Sequence, residues 1–359
     1  MNVERIYSIA LSIKEETDSN QVVQLLSQSS TNLQNMINQP QHPPHQQQLA
    51  DAREKLKDNL SFAESNEYSP AWNQAIKELG IHEYVGNQLS KKIDTIFLNN
   101  QITPQVALSE IQSLRTEVTQ MQTALEQIIN GLKHIKIEPE ILEPGEGELG
   151  ILLPRSYIEN TFEGLSNEFK EINSILRTFS EVSKGEIEHF ELKSLSTTDP
   201  FILLSASIGV LSTLAVAIEP IISTYKEILE VRLLHSKLAE KKIAKKRLKG
   251  IEDHAEELMG KTIEKIKADL LKDYPVQDNG RKNELSNALG PALKMLANRI
   301  DRGFNIEIRV EPFSENNEEE PQQEDQKNIE IIQSAMKEME FMKLEGEPIL
   351  HLPENNKKG

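Results

Sequence analysis

Three short stretches carry residue types that do chemistry at catalytic spacings. Gly145-Glu146-Gly147-Glu148-Leu149-Gly150 matches the GxGxxG pattern of a dinucleotide-binding loop letter for letter. Such a loop works by bringing backbone N–H groups and a helix N-terminus to a pyrophosphate. Here two glutamates would face the anion and prolines surround the run, so the chemistry does not follow. Gly260-Lys261-Thr262 ends like a phosphate-binding loop, but Ala255 stands where its first glycine belongs and the preceding residues read as helix. Glu191-Leu192-Lys193 has the acid-x-lysine form of metal-dependent nucleases without the upstream aspartate such a site needs. Of the eight histidines, His42 and His45 sit in a Pro/Gln stretch and the other six are scattered, with no HExxH or GxSxG. Cysteine is absent, which excludes thiol catalysis, disulfides and Cys-based zinc sites. The expectation is a non-enzyme with no catalytic residue, metal, cofactor or small-molecule substrate.

Charge is the next chemical signal. The 359 residues carry a net charge of −17, yet 232–249 holds eight basic residues against one acid, a local excess of +7 that leaves −24 for the rest. An acidic body argues against nucleic-acid binding, which needs a phosphate-neutralising surface. Lys237, Lys241, Lys245 and Lys249 form a stripe at spacing four, with Lys242 and Lys246 beside it. Three readings are open: anionic lipid headgroups, an acidic protein segment, or a solvated helix end that complements the dipole. Arg299, Asp301 and Arg302 form a second charged group where Gly303 ends a helix just before a strand. Ion pairing of Asp301 with either arginine is the structural expectation, and a binding role for this corner is the alternative.

What must position these groups is mostly helix. Only 37% of the chain is hydrophobic and 5% aromatic, which suits helices packed along seams. The expected fold is mainly α, elongated and partly coiled coil, with one long central helix and a small β element near the C-terminus. The central helix is read over 196–250, opening at Thr198-Asp199-Pro200 and closing at Gly250. Its first part, 201–218, has eighteen residues without a charge, ten of them Phe, Ile, Leu or Val. As a helix it is about 27 Å long against a hydrocarbon core of about 30 Å. Ser205, Gly209, Thr213 and Ala217 make a small-residue stripe on which another helix can pack closely. The span is either a membrane-contacting segment or the buried core of a soluble assembly.

The remaining elements follow from periodicity and punctuation. Helices are expected over 3–38 in two pieces, then a Pro/Gln linker at 39–48, then helices at 49–65, 70–80 and 82–98. In 104–132, Ile111, Leu114, Val118, Met121, Leu125, Ile128 and Leu132 alternate steps of three and four, a coiled-coil seam. A second seam, Leu165, Phe169, Ile172, Leu176 and Phe179, suggests an antiparallel hairpin within a helical region spanning 49–195. Residues 186–195 are a candidate strand. Helices at 251–272 and 281–302 and an alternating strand at 305–312 make up a C-terminal region, 251–313. An acidic linker, 314–326, and a terminal helix and tail, 327–359, follow. EGELGILLP (146–154) echoes EGEPILHLP (345–353), and both are candidate edge strands beside 305–311.

The functional expectation is a self-assembling helical protein that contacts or inserts into a membrane through 201–218, with the lysine-rich end on the inner surface. The alternative is a soluble scaffold or adaptor in which 201–218 is the core of an oligomer. The N-terminus reads as an amphipathic helix and not a signal peptide, so the expected location is the cytoplasm or the inner face of the cytoplasmic membrane. A homo-oligomer and a protein partner are expected, and nucleic acid is not.

Overall fold

The structure is a computed structural model that describes residues 3–196, 200–240, 245–272, 274, 278–313, 323–342, 344 and 346–353, with side chains for all of these except 239–240, 245–248 and 279. The chain divides into two units, Met1–Ile141 and Leu142–Gly359.

The described residues of the first unit contain six α-helices, α1 (Val3–Ser19), α2 (Val22–Asn38), α3 (Pro43–Ser61), α4 (Pro70–Glu78), α5 (Gly86–Asn99) and α6 (Pro104–His134), with short 3-10 turns at Glu64–Glu67 and His82–Tyr84. The Pro/Gln stretch read as a linker in fact starts α3, because Pro43 and Pro44 occupy first-turn positions that need no N–H partner. The seam of α6 is real, but no coiled coil forms: it packs on α1 and α2. Ile111, Leu114, Val118, Met121 and Leu125 are buried, after which Ile129 is buried and Ile128 only partly so. That drift is the 3.6-residue period of a straight helix in place of the 3.5 of a supercoil. Glu16 of α1 pins two later turns, accepting from Ser65 N at 2.7 Å, Ser65 Oγ at 2.9 Å and Gly86 N at 3.2 Å.

The second unit runs β1 (Gly147–Leu152), α7 (Phe162–Lys184), β2 (Glu191–Ser196), β3 (Phe201–Ser205), α8 (Ile208–Glu240), α9 (Lys245–Leu270), α10 (Asn279–Asp301), β4 (Asn305–Val310) and α11 (Gln323–Glu338). The strands form one antiparallel sheet in the order β2-β3-β1-β4. Leu149 lies opposite Leu204 and Ile308, and Ile151 opposite Ile202 and Ile306, so one face is continuously apolar and joins the core. The other face carries Glu148, Glu307 and Arg309, with Phe201 and Glu307 lying across Gly150, where an added Cβ would meet them at 2.6 and 2.7 Å. Strands thus come from the middle of the chain as well as from near its end. Of the two echoing segments, 146–154 supplies a central strand and not an edge, while 346–353 lies outside the sheet.

The single helix expected over 196–250 is not what forms. Residues 201–205 are β3, and the helix begins at Ile208. An unbroken apolar run has no periodicity to separate strand from helix, and Ser205-Ala206-Ser207 supplies the break. Ser207 gives its carbonyl to Leu211 N at 3.0 Å, while Glu188 receives Ser207 N at 2.8 Å and Ser207 Oγ at 2.6 Å. Burial opposes the charge of Glu188, but Lys184 and the Ser207 bonds outweigh it and hold the carboxyl below its ordinary range. At the far end α8 and α9 pair antiparallel, with Thr224 against Thr262 at 2.8 Å and His235 against Glu252 at 3.1 Å. The described part of the lysine-rich stretch therefore falls on the end of α8 and the start of α9. The proposed start at Thr198-Asp199 and the positions 241–244 lie outside the described residues. The second seam, on α7, packs on α8 and α10, so the two seams serve separate cores.

Candidate functional site: the corner between α10 and β4

Among the described residues of the second unit, a group of buried polar side chains lies where α10 ends and β4 begins. Asn298 and Asp301 are three residues apart, hence on one side of the last helical turns. Gly303, with φ 93°, makes the turn, and Asn305 opens the strand. Tyr225 and Arg232 of α8 reach the same place, two turns apart on one face. Asp301 is fully buried, as is Tyr225, and Arg232 is 3% exposed.

The carboxylate of Asp301 is saturated. Its Oδ1 accepts Tyr225 Oη at 2.7 Å and Arg232 Nη1 at 2.8 Å, and its Oδ2 accepts the backbone N–H groups of Ile349 at 2.8 Å and Leu350 at 2.7 Å. Four donors fill the acceptor capacity of an ionised carboxylate. Arg232 also donates to Tyr225 Oη at 2.6 Å, to Asp301 O at 2.5 Å and to Gly346 O at 2.6 Å. Burial, reinforced by the charge of Asp301 against the opposing Arg232, pushes the Tyr225 phenol well above its ordinary range, so it stays a donor. A buried charge pair of this kind is tolerable only because every group is paired.

The partner of this corner is the chain's own C-terminal segment, 346–353. Asn298 holds Leu352 twice, receiving its N–H at 3.2 Å and donating to its carbonyl at 2.9 Å. Asn305 does the same for Met342, receiving its N–H at 2.7 Å and reaching its carbonyl at 3.5 Å. Glu256 of α9 accepts His351 N at 3.2 Å. Between these main-chain contacts Ile349, Leu350 and Leu352 are buried in the core. Gly346 turns at φ 77° where the segment passes α8, with Ser236 3.0 Å from the place of an added Cβ. Chemically the arrangement is a clamp for a peptide main chain: amides and carboxylates grip the backbone and apolar pockets take side chains.

The neighbouring arginine behaves differently from the expectation. Asp301 pairs with Arg232 and not with Arg299. Arg299 instead forms a bidentate buried pair with Glu168 of α7, at 2.5 and 3.1 Å. Arg302 lies 5.7 Å from the Tyr157 ring.

The other sequence candidates scatter. Ser205 closes β3, opposite Glu148 and Glu191. Gly209 faces Ser183 of α7, Thr213 returns its hydroxyl to Gly209 O at 2.9 Å, and Ala217 is fully buried. The small-residue stripe is therefore broken between a strand and a helix, and is used inside its own unit. Lys237 and Lys249 are exposed. Lys241 and Lys242 lie outside the described residues, and the side chains of Lys245 and Lys246 are likewise not described.

The three motif-like runs lie on ordinary secondary structure. The GxGxxG run leads into β1 with no helix after it, and Gly260-Lys261-Thr262 is in the body of α9. Lys193 sits at a bulge and pairs with Glu148 at 3.0 Å and Glu146 at 3.1 Å. Among the described residues, no three His, Asp or Glu side chains group closely enough to hold a metal ion. An open groove of about 540 Å³ lies between α8, α9 and α11, with Pro220, Thr224, Thr262 and Ile331 in its wall and Glu219 and Lys265 among its polar groups. Comparison with protein families, with curated proteins and with solved structures finds no match to this chain.

Proposed function

We propose that the chain is a non-enzymatic helical scaffold or adaptor in which 201–218 is a core segment, and in which the basic stretch 237–249 meets an anionic surface. The observation that carries this reading is where the apolar span is spent. Residues 201–205 are paired on both sides within the sheet, and Val210, Leu211, Leu214, Ala217, Ile218 and Ile221 are each 2% exposed or less. Helix 208–218 alone is about 16 Å long, well short of a hydrocarbon core. Insertion would have to open the sheet and uncover a core.

A membrane reading keeps one observation in its favour. Ile208–Leu238 is long and apolar enough to cross a bilayer by length and composition, although 67% of its most apolar window is buried. In the scaffold reading a membrane is met only from outside, by lysines worth about 1 kcal/mol each near an anionic surface. Self-association, a protein partner and a place on the cytoplasmic side belong to the same proposal.

Fractionation of the expressed full chain separates these readings. The scaffold reading expects the protein in the supernatant, or on membranes from which salt releases it. Reversing Lys237, Lys241, Lys245 and Lys249 to Glu should lower binding to anionic vesicles by about a hundredfold or more. Retention through a carbonate wash would sink the scaffold reading and establish insertion.

A further inference from the structure

We infer that the α10–β4 corner is a peptide-binding site whose ligand is the segment 346–353, held in the resting chain by its own copy and exchangeable with that of a second copy. The segment is bound as a ligand is bound. Every hydrogen bond described for its main chain goes to a side chain: Arg232, Glu256, Asn298 or Asp301. It adds no strand to the sheet, whose order is complete without it.

The grip is on the main chain and the choice is in the pockets. An asparagine amide can donate to a residue's C=O and accept from its N–H at the same time, so Asn298 reads the main chain of Leu352 whatever its side chain. Specificity comes from Ile349 and Leu350, both fully buried, and Leu352, 7% exposed. The recognised pattern is two adjacent aliphatic residues followed by a third after one arbitrary position, here His351, which is exposed. The chain presents this pattern itself at 349–352, and a second copy presents the same segment in trans. A tethered segment acts at millimolar effective concentration, so the cis arrangement dominates until it is weakened. Exchange of an identical element between two copies then yields a closed, two-fold dimer without any new contact.

The test is complementation between two full-length variants. Ile349→Ser/Leu350→Ser spoils the segment and leaves the corner, whereas Asn298→Ala spoils the corner and leaves the segment. Mixed, they should sediment as a one-to-one species that neither forms alone. A labelled peptide of residues 344–354 should bind the segment variant about tenfold or more tighter than it binds the unaltered chain. Adding Asn298→Ala to that variant should cost about tenfold. Folded variants that give neither a mixed species nor peptide binding overturn the inference. Should the segment variant fail to fold, hydrogen exchange of the unaltered chain decides. Amides of Ile349 and Leu350 should exchange well ahead of core amides such as Leu293 and Ile308. Exchange of all four together, by global unfolding only, would also overturn it.

Discussion

Segments 201–218 and 298–305 belong to the same unit and are both largely buried, but opposite physics buries them. The first excludes water with aliphatic side chains, whose contributions are many, small and nearly direction-free. The second buries a carboxylate, two amides and a guanidinium, and stands only because each donor and acceptor meets a partner at hydrogen-bond distance. Losing a methyl group from the first degrades it by degrees. Losing one partner from the second strands a buried charge. The difference teaches that the apolar run is the conspicuous feature of this chain, whereas the polar corner is the one that grips another segment, 346–353.

The largest expected effect breaks the corner. Asp301→Ala takes the Asp301 carboxylate from buried Arg232 and from two backbone N–H groups. It should cost about 3–5 kcal/mol in urea unfolding of the full chain. Replacing both members of the pair with aliphatic residues should cost less than the single change, because no charge is then stranded. Equal or greater loss in the double variant would mean that the charges themselves are not what matters.

A smaller effect probes the apolar segment. Ala217→Leu adds volume at a fully buried position and should cost about 1–3 kcal/mol. In a lipid-facing helix the same change would be harmless or favourable, so an unchanged midpoint would count against core placement.

The smallest effect lies at the junction between them. Glu188→Gln weakens the hold on Ser207 at the start of α8 and should cost about 0.3–1 kcal/mol. Because its folded pKa is lowered, the contribution of Glu188 is present above the ordinary carboxylate pKa and is lost as pH falls through the folded value. Unfolding curves of the two proteins should therefore converge in acid. Glu16 has the opposite sign. Burial, only partly opposed by the Ser65 and Gly86 bonds, raises its pKa, so its contribution is lost as pH rises through the folded value.

Legibility from sequence followed the same divide. Helices with a regular apolar stripe were readable, as α6 and α10 show, and so was the alternation of β4. The uncharged run was readable as either membrane-contacting or buried, and not as a strand followed by a helix, since continuous hydrophobicity carries no period. Coiled-coil and straight-helix packing differ only by a slow drift, which Ile128 and Ile129 reveal and the spacing of the earlier residues does not. The corner was visible as an unusual charged group, but its pairings were not. Asp301 found Arg232, 69 residues away, over its neighbours Arg299 and Arg302. Arg232 was hidden by counting it with the lysines; its spacing of seven from Tyr225 was the one local clue. Nothing in the local pattern of 346–353 marks a segment gripped by side chains in place of a sheet.

The most direct test of the account is hydrogen exchange on the full chain, followed at 201–218 with and without anionic vesicles. The account predicts amides of 202–204 and 210–218 among the slowest in the second unit, unchanged when vesicles are added. Fast exchange in water that becomes protected only with vesicles would contradict it, and would return 201–218 to the membrane.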